Sequence, residues 1–252
     1  MGRYYHLFET EAAQDAARND RTVYNEPWLG YCRETGRCSY NKLWPDSVAN
    51  CYEYVDLRLP SGNLWATMNI GATSITEQGS TFEWGGIFSK TTTNSWTGYR
   101  FGGKNKTADT LTKYNATDGL ITLELVDDAA RIQMGGLWQM PTKEDFSELT
   151  YVSPNGAVSY TTRSEETVDG VTCTVLTSKA NGNKLYFPRK DTGYYSVWTA
   201  SRHPTSNGMA FVFHRTSESD KWYDCLLEDS VRYNIYPVRG IIKRPVLANL
   251  YE

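Results

Sequence analysis

The sequence predicts an α+β domain built round a twisted antiparallel sheet, with a short arm in front of it. Three observations point there. From residue 54 onward the chain alternates short strand-like runs with glycine-rich turns, and only two stretches read as helices. Aromatic residues make up 13% of the 252, led by 18 Tyr and 8 Trp, which suits strands, interfaces or a sugar-binding surface. The first 50 residues differ from the rest and hold too few aliphatic side chains for a core of their own. Residues 1–50 are therefore assigned to a helix-and-hairpin docking arm and residues 51–252 to the domain.

The elements follow in chain order. Residues 7–19 read as a helix, with Thr10 as N-cap and alanines at 12, 13, 16 and 17. Its apolar face is thin, so a helix this short needs something to lean on. Tyr31 and Cys32 return as Cys38, Ser39 and Tyr40 in a hairpin, and whether Cys32 and Cys38 pair is left open. Residues 43–46 read as a turn or linker. Strands are expected at 54–57 and 64–70, joined by the turn Pro60-Ser61-Gly62-Asn63. Residues 89–119, rich in Thr, Asn, Gly and Lys, read as a long irregular excursion. Residues 127–134 suggest a short helix. Thr142 caps a second one, with Asp145 in the capping-box position and Phe146 and Leu149 facing inward. Further strands are expected at 171–177, 184–187, 195–200, 209–213 and 233–238. Glu165-Glu166 is read as part of a polar loop, and residues 214–224 as a loop between strands.

Charge and cysteine content narrow the function classes. The formal net charge is -3, which disfavours a broad affinity for nucleic acid or anionic lipid. Nothing approaches 18 consecutive apolar residues, and the first residues hold no apolar signal core, so neither a membrane partner nor secretion is expected. Five cysteines, an odd count, fit reduced thiols made in a cytosol.

The chemistry-bearing residues are sparse. His6, His203 and His214 have no partner at ligand spacing, and no CxxC occurs. No cofactor and no metal are expected. Calcium stays in view because Asp127 with Asp128, or Asp224 with Glu228 and Asp229, could supply some of its oxygen ligands. Glu144-Asp145 and Glu165-Glu166 are carboxylate pairs of the kind a glycosidase needs. The first reads better as helix-terminus acids and the second as loop surface. Residues 102–107 lack the order of a phosphate loop. The binding candidates fall within 201–232. Trp222 and Tyr223 could stack on a sugar or a protein, while Arg202, His203, Asn207, His214, Arg215 and Asp224 could orient a ligand by hydrogen bonds.

Three segments together resemble a known family. They are Tyr54-Val55-Asp56-Leu57-Arg58-Leu59-Pro60-Ser61-Gly62-Asn63-Leu64-Trp65-Ala66, then Trp138-Gln139-Met140-Pro141-Thr142, then Val197-Trp198-Thr199-Ala200 with Val238-Arg239-Gly240. This pattern, over roughly residues 52–242, resembles the major-paralogue domain named after Fibrobacter succinogenes, found in gut Bacteroidota and their phages. The resemblance implies a divergent C-type-lectin-like fold, related to phage variable receptor-binding proteins and to formylglycine-generating enzymes. Arg58 stands where the family usually has Gly. The catalytic cysteine pair of those enzymes has no counterpart near Cys225, so no enzyme is expected. The arm is similar to the leading segment of virion proteins of crAss-like phages through Tyr5, Leu7, Phe8, Pro27, Trp28, Tyr31 and Tyr40. That similarity implies a docking adaptor.

Together the resemblances imply a non-enzymatic structural protein of a phage particle, assembled in the host bacterial cytoplasm. It would be a head, tail or fibre component that docks on other virion proteins through residues 1–50. Its lectin-like domain would project outward toward a host-surface glycan or protein, in homo-oligomeric copies whose avidity offsets weak single sites. A bacterial surface adhesin of the same domain family is the alternative, and an enzyme on this fold stands third.

Overall fold

The computed structural model describes residues 52–93, 95–103, 105, 107–135, 137–150, 160–190, 193–215 and 225–243. The expected arm, with its helix, its hairpin and the Cys32–Cys38 question, lies outside the described residues. The rest is a mostly antiparallel β structure with two short α-helices. The general class is therefore α+β with β predominating.

The domain closes on its own beginning. Strand β1 (Tyr54–Asp56) pairs antiparallel with β2 (Leu64–Asn69). The last strand, β12 (Arg239–Ile242), lies on the other side of β2, with Ile241 opposite Trp65 and Ile242 opposite Leu64. The short β4 (Trp138–Gln139) completes the order β1-β2-β12-β4. The 60–63 turn is docked by Ser61, whose N–H and hydroxyl both donate to the Glu148 carboxylate, at 2.8 and 2.5 Å. Arg58 adopts φ +49, a left-handed backbone that costs an L-residue with a side chain about 1–2 kcal/mol. Its N–H donates to Asp56 Oδ1 at 2.7 Å, a local bond that holds the bend.

Three further sheets build the body. β3 (Thr81–Glu83) pairs with β11 (Ile235–Pro237). β5 (Thr161–Val168), β6 (Val171–Ser178) and β7 (Lys184–Pro188) form a meander. β8 (Tyr195–Arg202), β9 (Met209–Arg215) and β10 (Cys225–Val231) form another. The helices are α1 (Ala129–Met134) and α2 (Lys143–Thr150). The capping box exists as the sequence implies. Asp145 N–H donates to Thr142 Oγ1 at 3.3 Å, and Thr142 N–H donates to Asp145 Oδ2 at 2.8 Å. Phe146 and Leu149 are fully buried.

The core has two halves, separated by β8 and β9. Tyr195, Val197 and Phe213 point into one half, with Trp65, Phe146, Leu176, Leu185, Phe187 and Ile241. Trp198, Ala200, Ala210 and Val212 point into the other, with Phe82, Trp84, Tyr99, Tyr114, Met134 and Trp138. A strand covered on both faces needs no polar alternation, which is why Val197-Trp198-Thr199-Ala200 reads as an apolar run. The four tryptophans 65, 84, 138 and 198 are all buried, as their payload suggests. Two of them also bond across sheets: Trp84 Nε1 donates to Thr199 O at 2.9 Å, and Trp198 Nε1 donates to Phe82 O at 2.8 Å.

Arg239 joins three strands from inside. It is fully buried, and its guanidinium donates to Asn69 Oδ1 and to the carbonyls of Ala66, Thr67 and Tyr186, all within 2.8–2.9 Å. Burial pushes its pKa down to about 9, which still leaves it charged at neutral pH.

Several expectations are corrected. Glu165 and Glu166 lie in strand β5, not in a loop. That strand turns into β6 through Asp169 and Gly170 at φ +48 and +80, the positive-φ pair of a type I′ hairpin turn. Residues 225–231, assigned to no element from sequence, pair with β9 along their whole length. The expected 233–238 strand is shorter, β11 over Ile235–Pro237, and after Val238 the chain enters β12, a strand not assigned from sequence that serves a different sheet. The first helix starts at Ala129, after a single 3₁₀ turn over Leu125–Asp127.

Candidate recognition face

The loop that joins β8 to β9, residues 203–208, carries three of the expected ligand residues or abuts them. Arg202 ends β8 and is buried. Its Nε donates to Leu120 O at 3.0 Å and its Nη1 to Asn207 Oδ1 at 3.2 Å. The side chain is thus spent inside the protein, where it holds the loop. His203 Nδ1 accepts from the N–H groups of Thr205 and Ser206, at 3.3 and 3.1 Å. An acceptor Nδ1 leaves the proton on Nε2, which lies 3.3 Å from Asp229 Oδ2. The imidazole therefore staples its own turn to β10. Asn207 receives a bond on its side chain from Arg202 and one on its main-chain oxygen from Arg232, the latter at 2.8 Å.

His214 lies at the other end of β9. Its Nδ1 is 2.6 Å from Ser196 Oγ on the neighbouring strand, and its ring stacks on Tyr194. The five steps of extended chain from Met209 to His214 span roughly 17 Å. The structure therefore brings Arg202, His203 and Asn207 together and sets His214 apart from them. The backbone of Arg215 closes β9. Trp222, Tyr223 and Asp224 lie outside the described residues, as do the arm positions Tyr5, Leu7, Phe8, Pro27, Trp28, Tyr31 and Tyr40.

The excursion that faces the 203–208 loop is longer than its composition suggests. It leaves β3 at Trp84 and ends at Asp128 with a 3₁₀ turn over Ala108–Thr110 on the way. Two charged groups, neither singled out for this role by sequence, organise it. Asp127 is buried; it pairs with Arg100 at 2.6 Å and Lys113 at 2.5 Å, and accepts from the Tyr114 hydroxyl at 2.7 Å. Arg232 is fully buried beside Trp84, Tyr99, Phe101 and Tyr114, with ring centroids 4.5–5.9 Å from its guanidinium carbon. No spacing rule marks Arg232, since its partners stand 25 to 133 residues away. At the seam, Trp96 sits edge-on to Tyr99 and Tyr233 and against Gly208, where a Cβ would come within 3.1 Å of its ring.

The acidic candidates have structural partners. Asp128 caps α1 through Arg131 N–H at 3.0 Å and accepts Met140 N–H at 2.7 Å. Burial pushes its carboxyl up to about 6 despite those bonds. Asp145 serves the capping box and accepts from Asn63 Nδ2 at 2.8 Å. Glu165 pairs with Arg189, and Glu166 with Lys184 at 2.6 Å. Glu228 and Asp229 are exposed on β10. Among the described residues no group of three or more His, Cys, Asp or Glu is placed to hold a metal ion. The arrangement suits non-covalent recognition: fixed, partly exposed loops that carry hydrogen-bonding groups on a rigid support.

Compared with known proteins, the chain matches no family model, no curated protein and no solved structure.

Proposed function

We propose that this chain is a non-enzymatic structural protein of a phage particle. Residues 1–50 dock on other virion proteins, and residues 51–252 form a C-type-lectin-like domain that projects outward. The face made by the 203–208 loop and the 84–128 excursion holds a host-surface glycan or protein by shape and hydrogen bonding, with no bond broken. The observation that carries this reading is the commitment of the described acids and bases near that face. His203 is tied to Asp229 and to its own turn, Asp127 to Arg100 and Lys113, and Asp128 to two backbone N–H groups. A catalytic group needs a free proton path to a substrate, whereas a rigid recognition loop needs such ties. The lectin-like assignment is supported by the pairing of the last strand beside the first hairpin and by one long excursion between β3 and β4. The adaptor assignment rests on the arm's similarity to virion proteins.

Cryo-electron microscopy of the intact particle tests the reading. Density for residues 1–50 wedged between other subunits, with the domain projecting, is the expected result. A particle without this chain sinks the virion function and leaves the adhesin alternative for glycan-array binding.

A further inference from the structure

Arg232 sits where three chain segments meet. Its own N–H donates to Gly208 O at 3.0 Å, and its carbonyl accepts from Trp84 N–H at 3.0 Å. Its side chain donates through Nε to the Tyr99 hydroxyl at 2.9 Å. Nη1 donates to Tyr114 O at 2.9 Å and to Asn207 O at 2.8 Å, and Nη2 to Lys113 O at 3.2 Å. Among the described residues no carboxylate pairs with it. A buried cation without a counter-ion is costly, and here carbonyl dipoles and ring faces take the counter-ion's place. Arg202 repeats the pattern from β8, with one bond to Leu120 O in the excursion and one to Asn207 in the loop. Asn207 is the shared point: its backbone oxygen belongs to one arginine and its amide oxygen to the other.

We infer that Arg232 and Arg202 clamp the 203–208 loop and the 98–120 part of the excursion into one unit, so that the two segments loosen together. Neither segment can withdraw without leaving buried guanidinium N–H groups unpaired, which makes a half-open state expensive. The arginines act as positioning residues. Under the proposed function, which this last step rests on, a ligand seated on either segment stiffens both.

Hydrogen exchange of the full-length chain tests the clamp without any ligand, so its outcome is separate from that of the virion reading. In Arg232→Lys the fork is lost and an ammonium cannot reach all four acceptors. The amides of 98–115 and of 203–209 are expected to exchange faster by a similar factor, about tenfold, while the β5–β6 amides keep their wild-type rates. Acceleration of one segment alone overturns the inference, and so does equal acceleration of the β5–β6 hairpin. Should Arg232→Lys fail to fold, Tyr99→Phe removes one hydroxyl and keeps the ring. Tyr99 bonds to Trp84 O and Arg232 but makes no described bond to the 203–208 loop. Faster exchange at His203 and Ser206 in Tyr99→Phe is therefore the signature of coupling, and an unchanged rate there refutes it.

Discussion

The β5–β6–β7 meander and the 84–128 excursion are held by opposite means. The meander is a ladder: eight paired positions between β5 and β6, a two-residue turn, and ion pairs on the outside. Its backbone groups satisfy one another, so its side chains are not needed to satisfy the main chain, and its buried ones serve the core. The excursion has almost no ladder. Its backbone oxygens are met by side chains: those of Lys113 and Tyr114 by the buried Arg232, that of Leu120 by the buried Arg202, and that of Gly85 by the more exposed Arg100 through Nη1 at 2.8 Å. Irregular chain can be buried only when side chains take over the bonding that a sheet supplies. The consequence is concentration of risk. One side chain in the excursion carries what many backbone pairs share in the meander.

Substitutions can break this contrast, and the largest effect is expected inside the excursion. Asp127→Ala leaves Arg100 and Lys113 without their shared carboxylate and Tyr114 without its acceptor. A loss of about 2–3 kcal/mol is expected in chemical denaturation, less than for a fully buried pair because both cations reach solvent. A loss below about 1 kcal/mol would mean that Glu124, which already pairs with Lys113 at 2.5 Å, takes over.

The next effect is a pH dependence at the excursion's end. The Asp128 carboxyl titrates at about 6 in the fold and near 3.8 when unfolded. The native state therefore binds the proton more tightly. The stability this lends is fully present below pH 3.8 and is lost as pH rises through 6, by an amount on the order of 1–3 kcal/mol. Denaturation midpoints measured from pH 4 to pH 7 should fall in the wild type and fall less in Asp128→Asn. Equal slopes would remove Asp128 as the source.

Smaller changes belong to the meander. A Cβ at Gly170 meets nothing within 4 Å, but the residue sits at φ +80. Gly170→Ala should cost about 1–2 kcal/mol from backbone conformation alone. The contrast is Gly103 in the excursion, where a Cβ would run into the carbonyl of Thr110. Lys184→Ala, which removes an exposed pair with Glu166, should leave the melting temperature unchanged within error. A marked drop would show that the meander also depends on single side chains.

The same contrast separates what could be read in advance from what could not. The Thr142–Asp145 box was legible because its signal is local: two residues three apart before an apolar pair. The Asp169-Gly170 turn is equally local, a known hairpin signal between β-branched runs, but the acidic Glu165-Glu166 pair ahead of it has the composition of a surface loop. Strand β10 was hidden for another reason. Glu228, Asp229 and Ser230 give it a polar outer stretch, and only its pairing with β9 makes it a strand. Of the ligand candidates, sequence could group Arg202, His203 and Asn207 by proximity along the chain. It could not tell that Arg202 turns inward, nor that the His214 ring is held by Ser196 and Tyr194.

By itself the sequence determined the α+β class, the two helix positions, the core payload of tryptophans 65, 84, 138 and 198 and the extent of most strands. Each of these follows from short-range periodicity and from the size of apolar side chains. Only the tertiary structure decided the roles of the charged residues. No sequence signal marks Arg232, Arg239 or Asp127 for burial, because charge is costly to bury and that cost is met only by acceptors or counter-charges brought from other parts of the chain. Arg239 finds the carbonyl of Ala66, 173 positions away, and Arg232 the hydroxyl of Tyr99, 133 away. No local pattern encodes a bond of that span, so the groups that hold the excursion and the 203–208 loop become visible only when the chain has folded.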